Sequence, residues 1–133
     1  MKTTIIKFRQ AILSIKKDKL PITLQNFPHG ACGDSCRILA EHLKENGYGT
    51  FSYICGRIDE MIHAWLEQNG TIIDITADQF PEIIDSIYIG PYNPWYNKFE
   101  TDKSYEGGYS ILDERSRKEL SEVHKLIKMK IKA

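Results

Sequence analysis

The chain has 133 residues, 41% of them hydrophobic and 27% charged, which fits one globular domain over 1–133 with a single core. Eighteen Lys/Arg balance eighteen Asp/Glu, but unevenly: residues 1–20 hold six basic and one acidic side chain, residues 113–133 seven and four, and the middle five and thirteen. An acidic centre repels phosphates and argues against a nucleic-acid partner, and no apolar run nears the ~18 residues that a membrane span needs.

Ile5, Phe8, Ile12 and Ile15 recur at helical spacing and predict an amphipathic helix over 4–17. Lys7, Arg9 and Gln10 interrupt its apolar positions, so it does not read as a signal peptide. A cytoplasmic chain is expected, with delivery as an effector domain left open. Pro21 and Pro28 make 20–31 a loop. Cys36, Leu39, Ala40 and Leu43 mark a second helix over 32–46, stopped at Asn46-Gly47. The period then changes. Segments 50–58, 61–67, 71–76 and 85–90 are rich in β-formers, and Asn69-Gly70 is a hairpin signal. Residues 91–110 read as an aromatic-rich loop. Its Tyr92, Trp95 and Tyr96 suit a satellite core, a substrate groove or a protein-partner patch. Leu120, Val123, Ile127 and Ile131 mark a C-terminal helix from about 113. The expected class is α+β: N-terminal helices packed on a four-stranded antiparallel sheet, then a C-terminal helix. His42 and His124 are placed on solvent-facing sides of their helices.

A two-residue turn at Asn69-Gly70 pairs Gln68 with Thr71, Leu66 with Ile73, Trp65 with Asp74 and His63 with Thr76. Alternation then puts Ile62, Ala64, Leu66, Ile73 and Ile75 on one face, and His63, Trp65, Asp74 and Thr76 on the other. His63 and Asp74 become diagonal neighbours, close enough for an imidazole to meet a carboxylate. Such a carboxylate orients the ring and stabilises the imidazolium. Trp65 either shields that contact or simply packs. Cys32 falls at the start of the second helix, where the dipole favours a thiolate. Gly30 and Gly33 leave room beside it. Cys32, His63 and Asp74 therefore compose a nucleophile, a base and an orienting group.

The other polar residues carry less. An odd count of three cysteines argues for reduced thiols. Cys36 lies on the apolar stripe and Cys55 in a strand, both structural positions. His29, Cys32 and Cys36 lack metal-site spacing, so no metal and no cofactor are expected. Asp78 and Gln79 after the hairpin suit a polar turn, with Gln79 also able to line a cleft.

"GACGDSCRILAEHL" and "HAWLEQNGTIIDIT" together resemble the transglutaminase-like branch of the papain-like cysteine proteins. The "HAWLE … DIT" portion is similar to the leader peptidases of lasso-peptide maturation. The resemblance covers about residues 27–80. It implies Cys32 as nucleophile, His63 as base and Asp74 as third member, with a side-chain amide upstream, Gln25 or Asn26, holding the oxyanion. The implied activity is hydrolysis or acyl transfer at an amide bond of a peptide or protein, whether as peptidase, deamidase or transglutaminase, and a toxin or effector role fits the same chemistry. The alternative is a catalytically silent binding, immunity or adaptor module that keeps the fold.

Overall fold

Helix α1 (Lys2–Ser14) buries Ile5, Phe8, Ala11 and Ile12 along one side, as the spacing of its apolar residues requires. A computed structural model describes residues 1–79, 86–101 and 104–132, except for the side chain of Gln79, so the expectation that Gln79 lines a cleft lies outside the described residues. The loop expected over 20–31 holds one helical turn, α2 (Ile22–Gln25), entered through Pro21. Proline fits there because a first-turn N–H has no intrahelical partner. Helix α3 (Cys32–Glu45) starts at the expected residue, and α5 (Glu114–Lys132) ends the chain's described structure.

Between them runs an antiparallel meander of β1 (Ser52–Ile58), β2 (Met61–Gln68), β3 (Thr71–Asp74) and β4 (Tyr88–Pro91). The β2–β3 register pairs Leu66 with Ile73 and Gln68 with Thr71, as the turn predicts. Asn69 and Gly70 both have positive φ, the backbone that a two-residue hairpin of this twist demands. The ladder stops at Leu66–Ile73, so the expected pairings of Trp65 with Asp74 and of His63 with Thr76 are not part of it. Of the strand expected over 85–90, residue 85 lies outside the described residues, and pairing begins at Tyr88.

The sheet has six strands among the described residues rather than four. The segment 91–110 carries a one-turn helix α4 (Pro94–Asn97) and two short strands, β5 (Glu100–Thr101) and β6 (Tyr105–Glu106), both paired with β1. Two-residue strands have no alternation to read; they form because the outer edge of β1 offers unpaired backbone groups. The order along the sheet is β4-β3-β2-β1-β5.

Each face has its own core. Ala64, Leu66, Ile73 and Ile75 pack under α1, α3 and α5. Ile54, Trp65 and Ile72 pack on the opposite face against Tyr96 and Phe99, with Tyr92 and Trp95 beside them. Ile62, assigned to the helix-covered face, is exposed near the start of β2, beyond the helices' cover. Phe51 caps the first core, and Gly107 lies against it: a Cβ there would sit 2.6 Å from the Phe51 carbonyl oxygen and 2.7 Å from the Ala40 Cβ.

His42 and His124 are buried, not solvent-facing. They satisfy each other across the α3–α5 interface, with His42 Nδ1 3.0 Å from His124 Nε2, and Tyr109 Oη 2.8 Å from His124 Nδ1. Burial pushes both imidazoles below their ordinary range, His124 to about 4. None of the helices among the described residues is long and apolar enough to cross a membrane.

Candidate active site

Cys32 is the first residue of α3 and half-buried. Its position is set by what holds that helix end. Ser35 Oγ donates to the Ala31 carbonyl at 2.5 Å, and Thr23 Oγ1 donates to Asp34 Oδ2 at 2.5 Å, tying α2 to the first turn. One turn on, the buried Cys36 thiol reaches the Ala64 carbonyl at 3.6 Å, next to His63 on β2. That contact pins α3 to the strand and brings Cys32 alongside His63. Burial, then the charge of Asp74, pushes the Cys36 thiol well above its usual range, as suits a packing residue.

His63 and Asp74 are both fully buried, and His63 Nε2 lies 2.6 Å from Asp74 Oδ2. The diagonal contact expected from the hairpin is made. With Nε2 held by the carboxylate, Nδ1 is the ring nitrogen turned away from Asp74, and Cys32 lies near enough to the ring to raise its pKa. Burial alone lowers the pKa of this imidazole. The bonds to Asp74 and Cys32 and the charge of Asp74 outweigh it and raise the value to about 9.

Asp74 is saturated with donors. Besides His63 it accepts from Tyr96 Oη at 2.8 Å, from the Thr76 backbone N–H at 3.0 Å and from Thr76 Oγ1 at 3.3 Å. Four donors repay the desolvation of a buried carboxylate and fix its orientation. Thr76 could be anticipated from its place two residues after Asp74. The role of Tyr96 could not, because it arrives from a segment 22 residues away.

Aromatic rings surround His63: Trp65, Trp95 and Phe99 stand 5.9, 6.0 and 6.1 Å from it between centroids. Trp65 both shields and packs, with Nε1 donating to Tyr92 Oη at 3.3 Å. Tyr96 is buried, and Tyr92 and Trp95 are partly buried against the second core. These three residues thus form the satellite core, with Tyr92 and Trp95 keeping part of their surface exposed. Asn93 holds α4 in place by accepting from the backbone N–H groups of Trp95 and Tyr96.

Gln25 donates its side-chain amide to the Leu20 carbonyl at 3.0 Å, and Asn26 is exposed. Cys55 pairs in register with Ala64 on β1, and His29 is exposed in the preceding loop. A cavity of about 660 Å³ between α1 and β4 is walled by residues including Lys2, Arg9 and Tyr88, and by none of Cys32, His63 or Asp74. Chemistry, not cavity size, marks the site. Comparison with protein-family models, with curated proteins and with solved structures gave no match to this chain.

Proposed function

We propose that the chain is a cysteine-dependent hydrolase or acyltransferase acting on an amide bond of a peptide or protein, built on a papain-like, transglutaminase-like plan. The observation that supports this reading is His63 bound to Asp74 at 2.6 Å, with a thiol at a helix N-terminus near enough to the same ring to raise its pKa. His63 Nδ1 takes the thiol proton of Cys32, and Sγ attacks the amide carbonyl carbon. The carbonyl π electrons move to oxygen, and the oxyanion is met by the Cys32 backbone N–H, one of the first-turn groups without an intrahelical partner. Gln25 or Asn26 is the candidate second donor. His63 gives its proton to the leaving nitrogen, the C–N bond breaks, and a thioester on Cys32 remains. Water or an amine then attacks the thioester carbon while His63 takes its proton, the C–S bond breaks, and His63 returns that proton to the departing thiolate. Asp74 keeps Nε2 protonated throughout, so that Nδ1 faces the sulfur.

One observation favours the silent-module alternative: His63 and Asp74 lie wholly buried beneath the aromatic cap. A single experiment separates the two. The protein is incubated with a peptide p-nitrophenyl ester, and the acyl group is located by peptide mass spectrometry. The enzyme reading requires acylation at Cys32, with Cys36 and Cys55 unlabelled, and its loss in Cys32→Ala and His63→Ala variants whose circular dichroism matches the parent. No acylation, or an equal rate in His63→Ala, rejects it.

A further inference from the structure

The buried pair His42 and His124 has no part in the site above, yet its surroundings are arranged for a ligand. Among the described residues, His42, Glu45 and His124 each present one donor atom, and these three atoms all lie within 4.8 Å of one another. His42 Nδ1 is 3.0 Å from His124 Nε2, and Glu45 Oε2 is 3.6 Å from the same His124 nitrogen. We infer that these residues form a divalent metal site of the zinc class, two imidazole nitrogens and one carboxylate, clamping α3 to α5.

Several features support it independently. An ion at the usual ~2.0–2.1 Å from each donor would see the two nitrogens at about 95° and the His124–Glu45 pair at about 120°, values that bracket the tetrahedral angle. Two imidazoles and one carboxylate are a borderline-hard N/O set that suits zinc better than calcium or magnesium. The outer nitrogen of His124 bonds Tyr109 Oη at 2.8 Å, the kind of second contact that fixes a ligating ring's tautomer and direction. The fourth position has an opening: a cavity of about 420 Å³ whose wall includes His42 and Glu45 together with Lys7, Lys128 and Lys132, cations that suit an anionic fourth ligand. Lys128 Nζ, 3.5 Å from Glu45 Oε2, is the group an ion must displace. It sits on a half-exposed side chain, from which the ammonium can turn to solvent or toward an anion in the fourth position.

The test uses the full chain, freed of metal by chelator and dialysis, with Zn²⁺ titrated by calorimetry. One ion per chain is expected. Glu45→Gln changes a half-exposed residue and leaves the imidazole pair intact; it should weaken binding about 100-fold, at least the upper end of what losing an outer-shell partner does. Tyr109→Phe should weaken it about tenfold. His124→Ala should abolish binding, with circular dichroism read beside it; if that variant fails to fold, Glu45→Gln carries the test. Cys32 and His63 are the competing zinc ligands in this chain, so Cys32→Ala must keep full stoichiometry. Cobalt substitution adds a spectroscopic readout: weak visible bands of a four-coordinate N/O site with no sulfur-to-cobalt charge-transfer band. No zinc binding, binding unchanged in Glu45→Gln, or binding lost in Cys32→Ala would overturn the assignment.

Discussion

Asp74→Asn removes a charge from the site and keeps its shape. The new Oδ1 can still accept from Thr76, and the new amide can still meet Tyr96 Oη. What it cannot do is accept from His63 Nε2, because it now presents N–H groups on that side. The imidazole answers by accepting at Nε2 and carrying its proton on Nδ1, toward Cys32, which makes it a donor where a base is needed. The energetic signature follows from linkage. In the parent, His63 has a folded pKa of about 9 against an ordinary 6.5. A value raised by folding contributes stability that is fully present below the unfolded pKa and is lost as pH rises through about 9; the difference corresponds to about 3 kcal/mol. In Asp74→Asn, burial is no longer opposed by the carboxylate, the folded pKa falls, and this contribution disappears. Urea unfolding of parent and variant at about pH 6 and about pH 9 isolates the effect, since all other titrating groups are shared. The gap in unfolding free energy between the two proteins should shrink by about 3 kcal/mol across that window. Reaction with an electrophilic acyl probe should fall steeply, up to the ~10⁴-fold that removal of an orienting carboxylate can bring. A gap that stays constant from pH 6 to 9, with acylation as fast as in the parent, would refute the coupling of Asp74 to His63.

Other outcomes are equally checkable. Tyr96→Phe removes one donor from a buried carboxylate and should lower stability by about 1–3 kcal/mol in denaturant unfolding; its acylation rate should fall far less than that of Asp74→Asn, because His63 keeps its partner. Gly107→Ala forces a methyl against the Phe51 carbonyl and Ala40, and should cost about 1–3 kcal/mol by the same measurement, with acylation at Cys32 retained at temperatures where it stays folded.

The His63–Asp74 contact and the place of Cys32 at the start of α3 are legible because each residue sits in a strong local pattern. Asn69-Gly70 sets the register of β2 on β3, and register alone places His63 diagonal to Asp74. The apolar stripe of α3 placed Cys32 at its first residue. Tyr96 escaped because nothing local signals its target: one helical turn opened by Pro94 says that a chain bends, not where a hydroxyl lands. The short strands β5 and β6 escaped for the same reason, since their pairing is decided by the free edge of β1. His42 and His124 were misplaced because a polar side chain was assumed to seek water. The pattern Leu120, Val123, His124, Ile127 has core spacing at all four positions, and two imidazoles that pair can be buried together.

The segment between β4 and β5 starts at one edge of the sheet and ends at the other, so residues 92–99 lie across the face opposite the helices like a strap. The hairpins β1–β2 and β2–β3 each close a loop of two residues. Pairing Gly56 with Thr101 closes a loop of about 45, and loop-closure entropy makes that pairing roughly 3 kcal/mol dearer than a hairpin's. Among the described residues, two of β5 hold it on that edge. Trp95, Tyr96 and Phe99 all ride on this strap, so the cover over His63 is tied to the β1 edge by a long-range pairing rather than by a tight turn. Opening it would bare the imidazole and take Tyr96 from Asp74 in one movement, while the helix-covered core, with Cys32 at its margin, stays assembled.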